Sequence, residues 1–297
     1  MAVVAFATAE HISTISICFL LFLSNLCMND WLNKAIVGDN LEVMKQLPSN
    51  SIDLIYCDIL YGTGRDFGDY KDLKANRKEI KNFYIPRIKE MYRLLKKTGA
   101  IYLQMDTRIN HWIRCILDDV FGYSNFKNEL IWCYNSQGKT TKLWNKKHDH
   151  ILYYTKSDKW TFNHKQVKDS ISDLTYKRFK KEIEKKGYYT TFKNGKEYKY
   201  HVKDGSLPKD WFEDVRYISR SSKERTNYAT QKPKALLQRI IKASSNKGDI
   251  VADFFCGSGT TLEAANELER NFFGCDINPK AIEITNSRIK SSLFSTV

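Results

Sequence analysis

The stretch Asp253-Phe254-Phe255-Cys256-Gly257-Ser258-Gly259-Thr260-Thr261 constrains this chain more than any other. An apolar run, Ile250 to Phe254, enters a Gly-x-Gly turn that opens a segment of helical character, Thr260 to Leu268. Small residues at such a turn let the backbone approach a ligand closely. Nineteen residues after Gly257, Asp276 ends the next apolar run, Asn271 to Cys275. A nucleotide-type fold places a carboxylate there to accept hydrogen bonds from ribose hydroxyls. The succession of strand, turn, helix, strand and acid predicts an α/β fold with a cofactor at the turn. Asp253, Phe255, Cys256, Gly257, Ser258, Gly259, Thr260 and Asp276 are the candidate contacts. By itself the pattern suits a dinucleotide as well as any other nucleotide-like group.

The rest of the chain extends this rhythm. Short apolar runs at Ala35 to Val37, Ile52 to Cys57 and Ala100 to Met105 alternate with amphipathic stretches, as in βα units of a largely parallel sheet. Ile80, Phe83, Tyr84, Ile88, Met91, Tyr92 and Leu95 recur at helical spacing, and Lys96-Lys97-Thr98-Gly99 is expected to close that helix. A second helix is expected from about 109 to 121, then two strands, Leu130 to Tyr134 and Ile151 to Tyr154, as a hairpin at one edge of the sheet. Residues 156–225 break the pattern with Lys-rich runs, scattered Tyr and the turn signals Asn194-Gly195 and Asp204-Gly205. They read as an inserted module between a part spanning 28–155 and a part spanning 226–297. Residues 1–27 hold an apolar run shorter than the roughly 18 to 20 residues of a spanning helix. They are expected to be an extension outside the fold, with no membrane partner; a membrane anchor or an export signal is the alternative.

Charge narrows the class of partner. The formal net charge is +14, and residues 139–203 hold 18 Lys or Arg against 7 Asp or Glu. Such a localised excess points to a polyanion. Trp144, Trp160, Tyr176, Phe179, Tyr188, Tyr189, Phe192, Tyr198 and Tyr200 are interleaved with these lysines, and most are expected to form the core of the module. Trp144, Asn145, Lys146, Lys147, Lys180, Lys181, Lys185 and Lys186 are the candidate nucleic-acid contacts, lysines taking phosphates and the others reaching bases. The seven cysteines are odd in number and contain no C-x-x-C pair, so neither a disulfide framework nor a zinc site is expected. A reducing cytoplasm and no required metal follow. The second chemical signal is Asp58-Ile59-Leu60-Tyr61-Gly62, just past the apolar run Ile52 to Cys57. An acceptor followed by an aromatic suits a planar base bearing an amino group, the carboxylate taking N–H while Tyr61 stacks on the ring.

At these residues the chain resembles a family. DFFCGSGTT is similar to the S-adenosylmethionine motif D-P-F-x-G-S-G-T-T of amino-methylating DNA methyltransferases, and DILYG to their catalytic D-P-P-Y motif. Thr230-Gln231-Lys232-Pro233 resembles the T-Q-K-P segment before the cofactor motif, and Gly38-Asp39-Asn40-Leu41 the lead-in to the catalytic one. The order of the motifs is that of the β group, of restriction-modification type. The resemblance implies a Rossmann-like S-adenosylmethionine-dependent methyltransferase fold with an inserted basic target-recognition module. Asp39, Lys232 and Pro233 thereby join the cofactor-binding set, and Asp58, Ile59, Leu60 and Tyr61 form the catalytic set. Ile59, Leu60 and Phe254 stand where the family carries prolines, which would rigidify the loop. The implied reaction is methyl transfer to N6 of adenine flipped out of duplex DNA. The acceptors for the amine are Asp58 and the Ile59 carbonyl, and no metal or covalent intermediate is required. No Pro-Cys pair exists for a covalent attack on carbon-5 of cytosine. Three alternatives stay open: an N4-cytosine enzyme, a DNA-binding modification subunit with impaired catalysis, and an RNA methyltransferase. A cognate restriction endonuclease and a homodimer are compatible partners.

Overall fold

A computed structural model describes residues 27–68, 70–134 and 140–294. The expectation for the apolar extension falls outside these residues apart from Cys27. In chain order the strands are β1 (Lys34–Val37), β2 (Ile52–Asp58), β3 (Leu95–Met105), β4 (Phe126–Cys133), β5 (His148–Thr155), β6 (Tyr188–Lys193), β7 (Lys196–His201), β8 (Trp211–Phe212), β9 (Ile250–Asp253) and β10 (Asn271–Asp276). The helices are α1 (Asn40–Gln46), α2 (Arg77–Leu94), α3 (Asn110–Phe121), α4 (Asp173–Lys186), α5 (Lys234–Ser244), α6 (Thr260–Glu267) and α7 (Pro279–Phe294). Eight strands form one sheet in the order β1-β10-β9-β2-β3-β5-β4-β8. The β1, β10, β9, β2 and β3 strands run parallel, β5 is antiparallel to β3 and β4, and β8 is parallel to β4.

The central strands are apolar because both faces are covered. On one side Ile55, Cys57, Ile101 and Leu103 pack with Ile80, Tyr84, Ile88 and Met91 of α2 and Ile113 and Leu117 of α3. On the other, Leu54, Tyr56, Tyr102 and Val251 pack with Leu236, Leu237, Ile240 and Ile241 of α5. Among the described residues no helix is long and apolar enough to cross a membrane.

Two expectations change. Lys96 to Gly99 do not close α2. The chain turns into β3 at Leu95, whose backbone is already extended, and Lys96 pairs with Asp53 of β2 at 2.7 Å. Gly99 is needed for close approach, since a Cβ there would stand 3.1 Å from the Asp53 carbonyl oxygen and 2.9 Å from Leu95. The hairpin of β4 and β5 forms, but the two-residue β8 pairs with its outer strand, so the hairpin is not the edge.

Residues 156–225 contribute α4, capped by Ser172 and closed by Gly187 in the left-handed conformation, and the β6–β7 hairpin. Asn194 and Gly195 both take positive φ (53° and 72°), as a two-residue hairpin turn requires. The expected aromatic core is overturned. Phe192 is 75 % exposed, Trp144, Trp160, Tyr176, Tyr198 and Tyr200 are exposed, and Phe179, Tyr188 and Tyr189 are half-buried. A helix and a two-stranded hairpin leave one face of each aromatic row uncovered. Phe179, Tyr189 and Tyr200 instead stack in a row at centroid distances of 4.7 and 5.3 Å.

The segment is pinned at one end to α5 and at the other to the main sheet. The Trp132 indole of β4 donates to the Val215 carbonyl at 2.8 Å. The Asn163 backbone N–H donates to the Ala243 carbonyl at 2.7 Å, and its side-chain amide to the Lys242 and Ser245 carbonyls at 3.2 and 3.0 Å. These are terminal carbonyls of α5, left without partners inside the helix. Asn163→Ala should therefore lower stability by about 1 kcal/mol, read as a reduced urea midpoint with unchanged slope; an unchanged midpoint would show that water serves these carbonyls equally well.

Candidate active site

Parallel pairing aligns the carboxyl ends of β1, β10, β9 and β2, where an α/β sheet binds its ligands. A cavity of about 550 Å³ opens there, within the range of small-molecule sites. Asp39, Asp58, Ile59, Leu60, Tyr61, Lys232, Asp253, Phe255, Cys256, Gly257, Ser258, Thr260 and Asp276 all line it. Pro233 and Gly259 do not. Pro233 is the residue before α5, and Gly259 precedes α6 at φ 76°, where a Cβ would stand 2.5 Å from Thr285 of α7. Gly259 thus serves helix packing, whereas Gly257, at φ 48°, keeps open the space facing Tyr228 across the cavity.

Asp58 ends β2. One carboxylate oxygen accepts from the Tyr61 hydroxyl at 2.8 Å and the other pairs with Lys232, whose side chain is 10 % exposed. Burial pushes the Asp58 carboxyl upward, and Lys232 pulls it back. Burial, reinforced by Asp58 and Asp149, holds the Tyr61 hydroxyl well above its usual range, so it acts as a donor. The loop that follows is tied down throughout. The Ile59 N–H donates to the Gln104 carbonyl (3.1 Å), and the Tyr84 hydroxyl donates to the Leu60 carbonyl (3.0 Å). The Asp72 carboxylate accepts from the N–H groups of Gly62 (3.1 Å) and Thr63 (2.7 Å).

The cofactor side is built as a cradle. Asp276 accepts from the Gly257 and Asn278 N–H groups, both at 2.9 Å, and burial raises its carboxyl. Asp39 caps α1 by accepting from the Leu41 and Glu42 N–H groups, and its second oxygen accepts from Arg87 at 2.8 Å. Asn40 donates to the Phe254 carbonyl at 2.8 Å and accepts from Arg87, tying α1 to the glycine turn. A turn without Cβ, a carboxylate at the end of β10 and apolar walls suit the ribose and adenine of S-adenosylmethionine.

The candidate nucleic-acid contacts lie elsewhere. Trp144, 99 % exposed, Asn145, Lys146 and Lys147 occupy the connection from β4 to β5. Lys180, Lys181, Lys185 and Lys186 are exposed on α4, where Lys180 and Lys186 pair with Glu184 and Glu182. Sequence reasoning missed Asp149 of β5, which accepts from the Tyr61 hydroxyl at 2.7 Å, and Asp72, which holds the loop. An acid between two histidines immediately before the apolar Ile151-Leu152-Tyr153-Tyr154 was the available signal for Asp149.

A mostly parallel sheet with a glycine turn and an acid at adjacent carboxyl ends defines a Rossmann-like α/β enzyme. The profile of the DNA methylase family of N6 and N4 amino-methylating enzymes matches residues 52–287, and the chain belongs to this family. It is 33 % identical over 259 residues to the type II methyltransferase M.HpaI of Haemophilus parainfluenzae, covering 87 % of this chain and 74 % of that protein. It is 32 % identical over 259 residues to the DNA adenine methyltransferase YhdJ of Escherichia coli (strain K12), covering 86 % and 81 %. The fold matches that of the PvuII cytosine-N4-specific DNA methyltransferase (TM-score 0.61, 14 % identity, 86 % of this chain and 85 % of that one). It also matches the M1.HpyAVI–SAM complex (TM-score 0.54, 20 % identity, 86 % and 98 %).

Asp253 supplies a pH test of the cradle. It is 2 % exposed, accepts from the Thr261 hydroxyl (2.6 Å) and the Phe255 N–H (3.0 Å), and burial pushes its carboxyl from 3.8 up to about 7. The folded state then binds more protons than the unfolded state between these values, so this group makes stability fall as pH rises from about 4 to about 7. Asp253→Asn keeps an acceptor and should remove that component of the slope in urea unfolding measured across this pH window. An identical slope in both proteins would mean that Asp253 is ionised as easily as an exposed acid.

Proposed function

We propose that this chain is a site-specific DNA methyltransferase of restriction-modification type that methylates N6 of adenine in duplex DNA. The observation that carries the reading is one cavity lined both by Asp58 and Tyr61 and by the glycine turn and Asp276. The adenine-specific name of YhdJ favours adenine over cytosine. When bound, S-adenosylmethionine supplies an electrophilic methyl group on a sulfonium. Gly257, Asp276 and the walls around Phe255 hold it at the turn, with Lys232 in the lining of the same cavity and Pro233 leading from it into α5. The amino nitrogen of a base is a poor nucleophile because its lone pair is delocalised into the ring. Asp58 and the Ile59 carbonyl accept its two N–H bonds and favour a tetrahedral nitrogen whose lone pair points at the methyl carbon. Positioning in a dry pocket accounts for most of the acceleration. In-line attack on a sulfonium methyl calls for no Lewis acid in this reading.

The Asp58 side chain is 20 % exposed beneath the cavity walls, so a base inside a duplex cannot reach it. The target must be flipped out, stacked on Tyr61 and recognised at its exposed edge. Lys232 occupies Asp58 beforehand and is displaced by the incoming amine. Residues 156–225 form the target-recognition module, flanked by the catalytic part 28–155 and the cofactor part 226–297. A cognate endonuclease recognises the same sequence.

Methylation-sensitive sequencing of DNA from cells expressing the chain reports base and site together; methyl found only on cytosine, or only on structured RNA, would overturn the reading. Asp58→Ala should abolish transfer while cofactor affinity stays within a few-fold, because Asp58 is assigned to the target amine and not to the cofactor. Gly257→Val should instead weaken cofactor binding, since the branched side chain fills the cradle; the reverse pattern would exchange the two roles.

The DNA surface has its own measurement. If six lysines meet phosphates, raising salt from about 50 to 200 mM should weaken binding by roughly three decades. Replacing Lys180, Lys181, Lys185 and Lys186 with Gln should flatten that slope and leave the methylated sequence unchanged. Changing Trp144 or Asn145 should alter which sites are modified more than it alters the slope. A slope insensitive to the four-lysine change would place the DNA on another surface.

A further inference from the structure

Asp149 is a carboxylate that the reaction as described does not use, and its surroundings are costly for stability. It is 3 % exposed on β5. One oxygen accepts from the Tyr61 hydroxyl (2.7 Å) and the Gln104 amide (2.9 Å), and the other from the Tyr134 hydroxyl (3.0 Å). Gln104 is itself fixed, its carbonyl oxygen accepting from the Tyr56 hydroxyl at 2.7 Å. All of these donors are neutral, and among the described residues no cation pairs with Asp149. Burying an uncompensated carboxylate is expensive even when it is hydrogen-bonded, and an apolar residue of the same volume would stabilise the sheet better.

The arrangement makes sense through Tyr61. A phenol has one proton to donate, and here two carboxylates, Asp58 and Asp149, stand within hydrogen-bond distance of it. Asp58 is already paired with Lys232, and Asp149, whose other partners are neutral donors, stands the nearer of the two to the hydroxyl, at 2.7 Å against 2.8 Å. The Tyr61 ring is then held at both ends, at its backbone by the tied loop and at its hydroxyl by a strand of the main sheet. The family's prolines are absent from this loop, and the hydroxyl contact supplies the rigidity they would give.

We propose that Asp149 is a positioning residue of methyl transfer: by taking the Tyr61 hydroxyl it fixes the ring on which the target base stacks and leaves Asp58 open to the target amine. This rests on the methyltransferase reading above.

The test is a double-mutant cycle on single-turnover methylation with enzyme, DNA and S-adenosylmethionine preassembled. Asp149→Leu should lower the rate about 10- to 100-fold, the scale of a small misplacement of reacting groups, while cofactor affinity stays within about twofold, because only transition-state alignment is lost. Asp149→Asn, which keeps an acceptor oxygen, should recover part of the rate. In a Tyr61→Phe background Asp149→Leu should have no further effect, since the two residues act through one contact. An equal loss in both backgrounds would make Asp149 a support of the sheet and overturn the proposal, as would a wild-type rate in either single variant. If Asp149→Leu does not fold, Tyr61→Phe alone must reproduce the loss, and full activity there overturns the proposal. An arm independent of turnover uses protein with 13C-labelled tyrosine. The Tyr61 hydroxyl proton should give a downfield, slowly exchanging resonance that disappears in Asp149→Leu. Its persistence overturns the clamp even if the wild-type chain transfers no methyl, whereas inactive wild type with the resonance lost in the variant overturns only the methyltransferase reading.

Discussion

The pairing of β2 with β9 is the constraint on which the rest depends. Leu54 lies beside Val251 and Ile55 beside Ala252, and the Asp53 carboxylate accepts from the Ile250 N–H at 2.9 Å across 197 positions of sequence. In a parallel pair the carboxyl ends coincide, so the acid after β2 and the glycine turn after β9 must open on the same side. Had the two strands been antiparallel, Asp58 and the glycine turn would lie at opposite ends of the sheet. Contacts between the two motifs, such as the Phe254 N–H to the Cys57 sulfur at 3.4 Å, refine an adjacency that the sheet already imposes.

The loop after β2 shows how the same rigidity arises by different means. Proline stiffens a loop by removing torsional freedom from the chain itself, in the folded and unfolded states alike. Here stiffness comes from outside: a carbonyl of β3, the hydroxyl of Tyr84 on α2, and the Asp72 carboxylate across the loop. Such restraint exists only when the protein is folded, so the site's geometry depends on the integrity of three separate elements.

Legibility in the sequence followed the range of the interactions. The strands and helices around Asp58 and Gly257 were readable because apolar runs and a Gly-x-Gly turn are local signals, and motif order supplied the family. Where tertiary contacts override local ones, reading failed. Lys96 to Gly99 resemble a helix stop, yet pairing between Lys96 and Asp53 draws them into β3. The aromatics of the insertion resemble a core, yet one helix and one hairpin cannot enclose them. Asp149 reaches Tyr61 only through folding over 88 positions of sequence, Asp72 by the loop doubling back over 9 or 10, and Asp39, grouped with the cofactor contacts, spends its carboxylate on the α1 cap and Arg87 as well as facing the cavity. Gly259 belongs to the glycine motif by sequence and to the packing of α7 by structure.

Trp211 and Phe212 carry a consequence for how such proteins diversify. These two residues emerge from the inserted segment and complete the main sheet beside Ile131 and Trp132. The segment is therefore not a cassette joined only by flexible linkers. A lineage that exchanged it for an unrelated insertion would have to supply its own short strand in the same register, or leave the outer ladder of β4 bare and prone to pair with a second molecule. Recombination between relatives is thus confined to crossover points inside the Asn163 anchor and before Trp211, and point substitution on α4 and the β6–β7 hairpin is the less hazardous way to alter the segment.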